Sequence, residues 1–218
     1  MIVGTTAERK EKEKEERRAS IVDAAERLFS VKGYDSVRMD DVAKEAKLAK
    51  GTLYLYFENK EALYIAVVLR GVALLGEMIG AAMAREKKGI SKTYAGGLAY
   101  YEFSRKYPFY FGMLLDAQQR SAVGTLSETV RDEFLHAKHR ALQTTVEAVR
   151  VGIADGTIRP TAEPRKTALL LMEATTAMIR TSHEVHVTRG SPTATRDEIV
   201  YFTLDMLRQA IENKEKYR

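Results

Sequence analysis

The sequence predicts an all-α chain, on three observations. Apolar residues recur at spacings of three and four along most of the 218 residues, and nowhere with the alternation that a half-buried strand needs. Gly33, Pro108, Gly156, Pro160, Gly190 and Pro192 fall between the periodic stretches, where they end helices at little cost. Residues 38–57, RMDDVAKEAKLAKGTLYLYF, carry the pattern of two short helices joined by a tight turn. At 45% apolar content the chain can bury a real core, in one large or two small domains.

Taken in order, residues 8–18, ERKEKEKEERR, mix both charge signs without an apolar face. Glu8 with Lys12 and Glu13 with Arg17 have the i, i+4 spacing that supports a helix, so residues 1–18 read as a charged, frayed helical extension. Ile21, Ala25, Leu28 and Phe29 make an amphipathic helix that Gly33 stops. Val42, Ala43 and Ala46 share one face of the next helix, Leu48 sits in the turn, and Leu53 and Phe57 recur at i, i+4 on the helix after it. Ala43 is small where the two helices must cross.

From Glu61 to about Lys88 one long helix is expected, with Leu63, Val67, Leu74 and Met78 inward and Gly71, Gly76 and Gly80 as weak points. Its apolar run, Ala62 to Ala84, is divided by Arg70 and Glu77 into pieces too short to span a bilayer, so a buried helix and no membrane partner are expected. Further helices are expected at about 92–105, 107–120, 125–155, 164–187 and 195–214.

The chemistry concentrates on the second short helix. With Leu53 and Phe57 facing inward, Lys50, Thr52, Tyr54 and Tyr56 project outward. A cation, a hydroxyl and two phenols on one face suit a DNA groove, where such donors meet phosphate oxygens and base edges. Bulk charge is not the argument. The chain is +5 overall, but residues 1–60 carry 13 basic and 12 acidic side chains, so placement matters: Arg38, Lys47, Lys50 and Lys60 group around this helix. Arg9, Lys10 or Lys12 as a minor-groove arm is the alternative reading of the extension.

The stretch AAERLFSVKGYDSVRMDDVAKEAKLAKGTLYLYFENKEAL, residues 24–63, closely resembles the amino-terminal domain of the TetR family of bacterial and archaeal repressors. Its segment GTLYLYFENKEAL, residues 51–63, is the most diagnostic part. The resemblance implies a three-helix, helix-turn-helix DNA-binding domain at 19–64, followed by a larger helical effector-binding and dimerisation domain at 65–218. It places Lys50, Thr52, Tyr54 and Tyr56 on the recognition helix, lets the backbone at Gly51 approach DNA, and puts Lys60 where the family touches a phosphate. Three positions depart from the family pattern. Arg38 stands where Thr or Ser caps the first helix, Lys47 where Gly sits, and Ala49 where Ser is common. Ala49 forgoes a cap of ~1 kcal/mol, and Lys47 in a left-handed turn costs on the order of 1 kcal/mol, while Arg38 and Lys47 add positive charge beside the reader.

Eight of the 18 aromatic residues lie between Tyr94 and Phe111, which marks a place for a pocket. Tyr100, Phe103 and Phe111 from this cluster, with Met78, Met113, Phe134, Met172, Thr175, Thr176 and Ile179, combine apolar walls with a few polar anchors, as sites for small apolar effectors do. Ordinary core packing is the competing reading. The last two helices carry apolar stripes, Leu170, Ala174 and Ala177 on one and Ile199, Phe202, Met206 and Ala210 on the other. In the resembled family the corresponding helices form a four-helix homodimer interface, which would set two recognition helices about one DNA turn, ~34 Å, apart or further on a near-palindromic operator.

The four histidines pair at i, i+3, His136 with His139 and His183 with His186, but two ligands do not make a metal site and none is expected. There is no cysteine, GxSxG elbow, phosphate-binding glycine loop or HExxH helix, so neither an enzyme nor a cofactor is expected. With charge arriving early at the amino terminus no secretory signal is expected, and the lack of cysteine agrees with the expected cytoplasmic location. The expected function is a DNA-binding regulator, a repressor released from its operator by a small apolar effector. The alternatives are a ligand-independent DNA-organising protein, or a helical small-molecule-binding or enzymatic domain with a vestigial reader.

Overall fold

A computed structural model describes residues 6–122, 124, 127–188 and 195–214. Among these the chain forms nine helices: α1 (Thr6–Lys32), α2 (Met39–Glu45), α3 (Lys50–Tyr54), α4 (Lys60–Ala84), α5 (Gly89–Lys106), α6 (Pro108–Ala122), α7 (Glu128–Ala154), α8 (Pro164–Thr188) and α9 (Arg196–Ile211). The only β pairing among them is an isolated bridge between Ile158 and Glu212. The chain divides into two compact units, Met1–Gly71 with Met113–Phe134, and Val72–Gly112 with Leu135–Arg218. The divisions fall inside α4, α6 and α7.

In the first unit the expected apolar faces are the buried ones: Ile21, Val22, Ala25 and Phe29 of α1, Val42 and Ala43 of α2, Leu53 of α3, then Phe57. The charged stretch 8–18 is helical. It is the first half of one continuous α1, with i, i+4 ion pairs Arg9–Glu13 (3.1 Å) and Lys12–Glu16 (3.8 Å) on an exposed surface. Local pairing and attachment to a helix already anchored by Ile21–Phe29 let the helix propagate backward without an apolar face.

Every residue of α4 from Leu63 to Val68 is buried, which is why this turn and a half is apolar all round. By length and composition α4 is apolar enough to cross a membrane. Arg70, the cation inside its apolar run, instead pairs with Asp23 (2.7 Å) and Glu26 (2.8 Å) of α1. The helix ends at Ala84, short of the expected Lys88, and its glycines do not interrupt it.

In the second unit Ile90, Val146, Val149, Ile158, Ala168, Leu171 and Ile211 form a buried cluster drawn from α5, α7, α8, α9 and the 155–163 connection. The start of α5 passes so close to α7 that a Cβ on Gly89 would lie 2.0 Å from the Gly152 nitrogen. Lys88 supplies no side-chain cap to α5. The cap comes from elsewhere in the chain: Gly89 N–H donates to Asp155 Oδ2 (2.7 Å) and Ile90 N–H to Thr157 Oγ1 (3.2 Å). α9 is capped locally by Thr195 and Glu198, and these bonds from Thr195 hold the Glu198 carboxyl below its usual pKa.

Candidate nucleic-acid interface

α2 ends in a turn with a defined hydrogen-bond pattern. Leu48 N–H donates to Ala43 O (2.9 Å) and Lys47 N–H to Lys44 O (3.1 Å), a Schellman closure with Lys47 at the left-handed position, φ +56°. A residue with a Cβ therefore occupies the place where glycine is cheapest. Ala49 then opens α3 without a side-chain cap. At the other end of α2, Arg38 N–H donates to Asp41 Oδ2 at 2.9 Å, so the carboxylate of Asp41 closes the helix start.

Leu53 (0% exposed) and Phe57 (3%) fix the inward side of α3, and the Arg18 guanidinium lies over the Phe57 ring at 4.9 Å. Lys50, Gly51 and Tyr54 are exposed, and Thr52 and Tyr56 are half-buried. Nothing lies within 4 Å of where a Gly51 Cβ would stand, so the backbone there is open to approach. Lys50 Nζ meets Asp40 Oδ1 at 2.7 Å, and this hydrogen bond raises the lysine pKa. Arg38 and Lys47, at the two ends of α2, are exposed.

Lys60, the first residue of α4, faces inward instead. Its ammonium donates to the carbonyls of Tyr34 (3.0 Å), Asp35 (3.3 Å) and Val37 (3.1 Å) and sits 4.2 Å from the Tyr34 ring centroid. Three donors and three carbonyls make this lysine a clamp on the α1–α2 connection.

A second set of contacts was not legible from local patterns. The Tyr64 hydroxyl donates to Asp116 Oδ2 at 2.6 Å, with the Met113 carbonyl at 3.2 Å. Arg120 Nε donates to the same Asp116 oxygen at 2.8 Å, and the guanidinium lies 5.1 Å from the Tyr34 ring and 5.8 Å from the Tyr64 ring. Burial first, then the bond to Asp116, pushes the Tyr64 phenol above the usual tyrosine range. Ser127 N–H donates to Glu61 Oε1 at 2.6 Å. These contacts fasten Met113–Phe134 to α4 and to the Tyr34 loop within the first unit. Asp116 and Arg120 have the i, i+4 spacing of a helical ion pair, but nothing in the sequence relates that pair to Tyr64. Leu55, 84% exposed, stands two residues from both Leu53 and Phe57, which places it away from the buried side.

Of the residues read as an effector pocket, eight lie in the second unit. Tyr100, Phe103, Phe111, Thr175 and Ile179 are buried, and Met78, Met172 and Thr176 are half-buried. Tyr100 packs edge-on against Phe111 at 5.9 Å and its hydroxyl meets Thr176 Oγ1 at 3.3 Å. Burial pushes the Tyr100 pKa up to about 12. Met113 and Phe134 are buried in the first unit. Leu169 and Leu170 of α8 and Tyr201, Phe202 and Met206 of α9 are exposed. His136 and His139 are exposed, the side chains of His183 and His186 lie outside the described residues, and no group of three or more potential metal ligands occurs among the described residues.

Residues 21–67 match the family model for bacterial regulatory proteins of the tetR family. The uncharacterized HTH-type transcriptional regulator YhgD of Bacillus subtilis is 26% identical over 165 residues, 75% of this chain and 83% of its own. The Staphylococcus aureus negative regulator of the icaADBC biofilm operon, IcaR, is 31% identical over 100 residues, 46% of this chain and 47% of its own. Among solved structures, a TetR/AcrR-family regulator from Thermobifida fusca covers 88% of this chain and 97% of its own with a TM-score of 0.67 at 20% identity. The fatty acid degradation regulator FadR of Bacillus halodurans covers 91% and 97% with a TM-score of 0.68 at 17% identity. At these identities the structural likeness establishes the fold. The match at 21–67 and its helix-turn-helix geometry make the amino-terminal part of this chain similar to the tetR-family regulatory domain, and the chain as a whole shares the all-helical fold of these solved regulators.

Proposed function

We propose that the protein is a homodimeric repressor that reads a near-palindromic operator with α3 and releases it when a small, largely apolar effector binds the second unit. The observation that carries this reading is the division of α3 into a buried side at Leu53, continued by buried Phe57 just beyond the helix, and an outward side presenting Lys50, Gly51, Thr52 and Tyr54. Arg38 and Lys47 add phosphate contacts beside it, and Tyr56 borders it. Lys60 is assigned to clamping the Tyr34 loop, since its three protons face carbonyls. A double-stranded DNA partner goes with a cytoplasmic location.

Dimerisation through α8 and α9 is supported by their exposed Leu169, Leu170, Phe202 and Met206, which water covers poorly. An effector site around Tyr100, Phe111, Met172 and Thr176 is supported by the apolar walls and the Tyr100–Thr176 hydroxyl pair, and by the fatty acid degradation regulator that shares the fold. For release to follow, the effector must bind more tightly to the conformation that misfits DNA. The near-complete burial of Phe103 (0%) and Phe111 (5%) favours, as the second reading, a DNA-organising protein with a filled core and no effector.

Footprinting of the purified protein on the DNA upstream of its own gene, at controlled salt, separates the two. A short protected near-palindrome is expected. Diffuse coating that dissolves with modest salt would replace the repressor with the organising protein.

A further inference from the structure

α3 has one outward residue whose chemistry differs from that of its neighbours. Leu55 is the C-cap of α3, two residues from both buried Leu53 and buried Phe57 and so on the side away from them, and it follows Gly51 by one turn. Its backbone is held in the helical conformation, φ −71° and ψ −21°, with its N–H on the Thr52 carbonyl at 3.2 Å. The side chain is 84% exposed and nothing in the first unit covers it. Val31 is exposed to a similar extent, 82%, but it ends α1 as a lone residue, which is unremarkable on a surface. Leu55 instead follows directly on the helix whose outward side carries Lys50, Gly51, Thr52 and Tyr54.

A leucine cannot donate to a phosphate or complete the hydrogen bonds of a base edge, so against guanine, cytosine or adenine it would strip water from polar atoms and return nothing. The major groove has one apolar feature, the C5 methyl group of thymine. Gly51 removes the side chain that would otherwise hold the helix off the groove floor, which lets the adjacent Leu55 reach it.

We propose that Leu55 is a specificity-determining residue that packs on a thymine methyl group and selects a T·A pair at one position of each half-site. This rests on the reading of α3 as the DNA reader. The test is a binding-site selection from a randomised duplex library, run with the full-length protein and with Leu55→Ala, followed by replacement of each selected thymine by deoxyuridine, which deletes only the methyl group. The parent protein is expected to enrich a site with an invariant thymine at which deoxyuridine weakens binding about fivefold, near the value of one buried methyl group. Leu55→Ala should lose that preference and become indifferent to the same substitution, with its helicity and salt dependence unchanged. Equal deoxyuridine penalties in both proteins, or an enriched site insensitive to deoxyuridine throughout, would overturn the role of Leu55 while leaving α3 as the reader. No enriched sequence with either protein would overturn both.

Discussion

Lys47 shows how a single residue trades stability for placement. Its φ of +56° in the α2–α3 turn is glycine territory, and a side chain with a Cβ there costs on the order of 1 kcal/mol. The residue also puts an exposed cation beside the outward side of α3. Lys47→Gly is therefore expected to raise the unfolding free energy by about 1 kcal/mol in urea titrations, and to lower by about one the slope of log affinity against log salt on operator DNA. A stabilised protein with an unchanged salt slope would remove Lys47 from the contact set. Lys50 differs, because its ammonium is already paired with Asp40 at 2.7 Å, and a phosphate must compete with that carboxylate.

At the scale of elements, close helix crossings are set by glycine and capping is shared across the chain. A Cβ on Gly89 would meet backbone atoms of α7, the Gly152 nitrogen at 2.0 Å and the Ala148 oxygen at 2.7 Å, and backbone cannot step aside. Gly89→Ala should destabilise the second unit by about 3 kcal/mol, the upper range of overpacking, because separating the helices also strains the Asp155 and Thr157 caps. Gly76→Ala on α4 meets nothing within 4 Å and is expected to stabilise by ~0.5–1 kcal/mol through helix propensity. Thermal and urea unfolding followed by helix circular dichroism would check the pair, and equal effects would contradict the assigned crossing. In the first unit, Asp116 and Arg120 join α6 to Tyr64 and the Tyr34 loop, the loop that Lys60 clamps. Those contacts are long-range in sequence and carry no periodic signal.

For the whole molecule, the exposed apolar residues of α8 and α9 bear on assembly. Phe202 is 67% exposed and Met206 55%, on a helix whose Val200 and Leu204 are buried. Phe202→Glu is expected to yield a monomer of unchanged helicity in sedimentation velocity, with operator affinity reduced at least tenfold because one reader then binds without its twin. A dimer that survives this change would place the interface elsewhere.

The all-α class, the positions of the helices and the inward residues of the helix-turn-helix were legible in the chain itself. Apolar spacing at Ile21–Phe29, Val42–Ala46 and Leu53–Phe57 records which side of each helix faces away from water, and glycine and proline record where helices stop. The outward set Lys50, Thr52, Tyr54 and Tyr56 follows from the same geometry. Tertiary structure decided what spacing cannot encode: that Lys60 turns inward to three carbonyls, that Asp155 and Thr157 cap a helix more than sixty residues earlier, and that Met113–Phe134 joins the DNA-binding unit through Asp116 and Arg120. Periodicity reports the burial of an element's own face, whereas a hydrogen bond or ion pair between distant segments depends on where the packed chain brings each donor and acceptor.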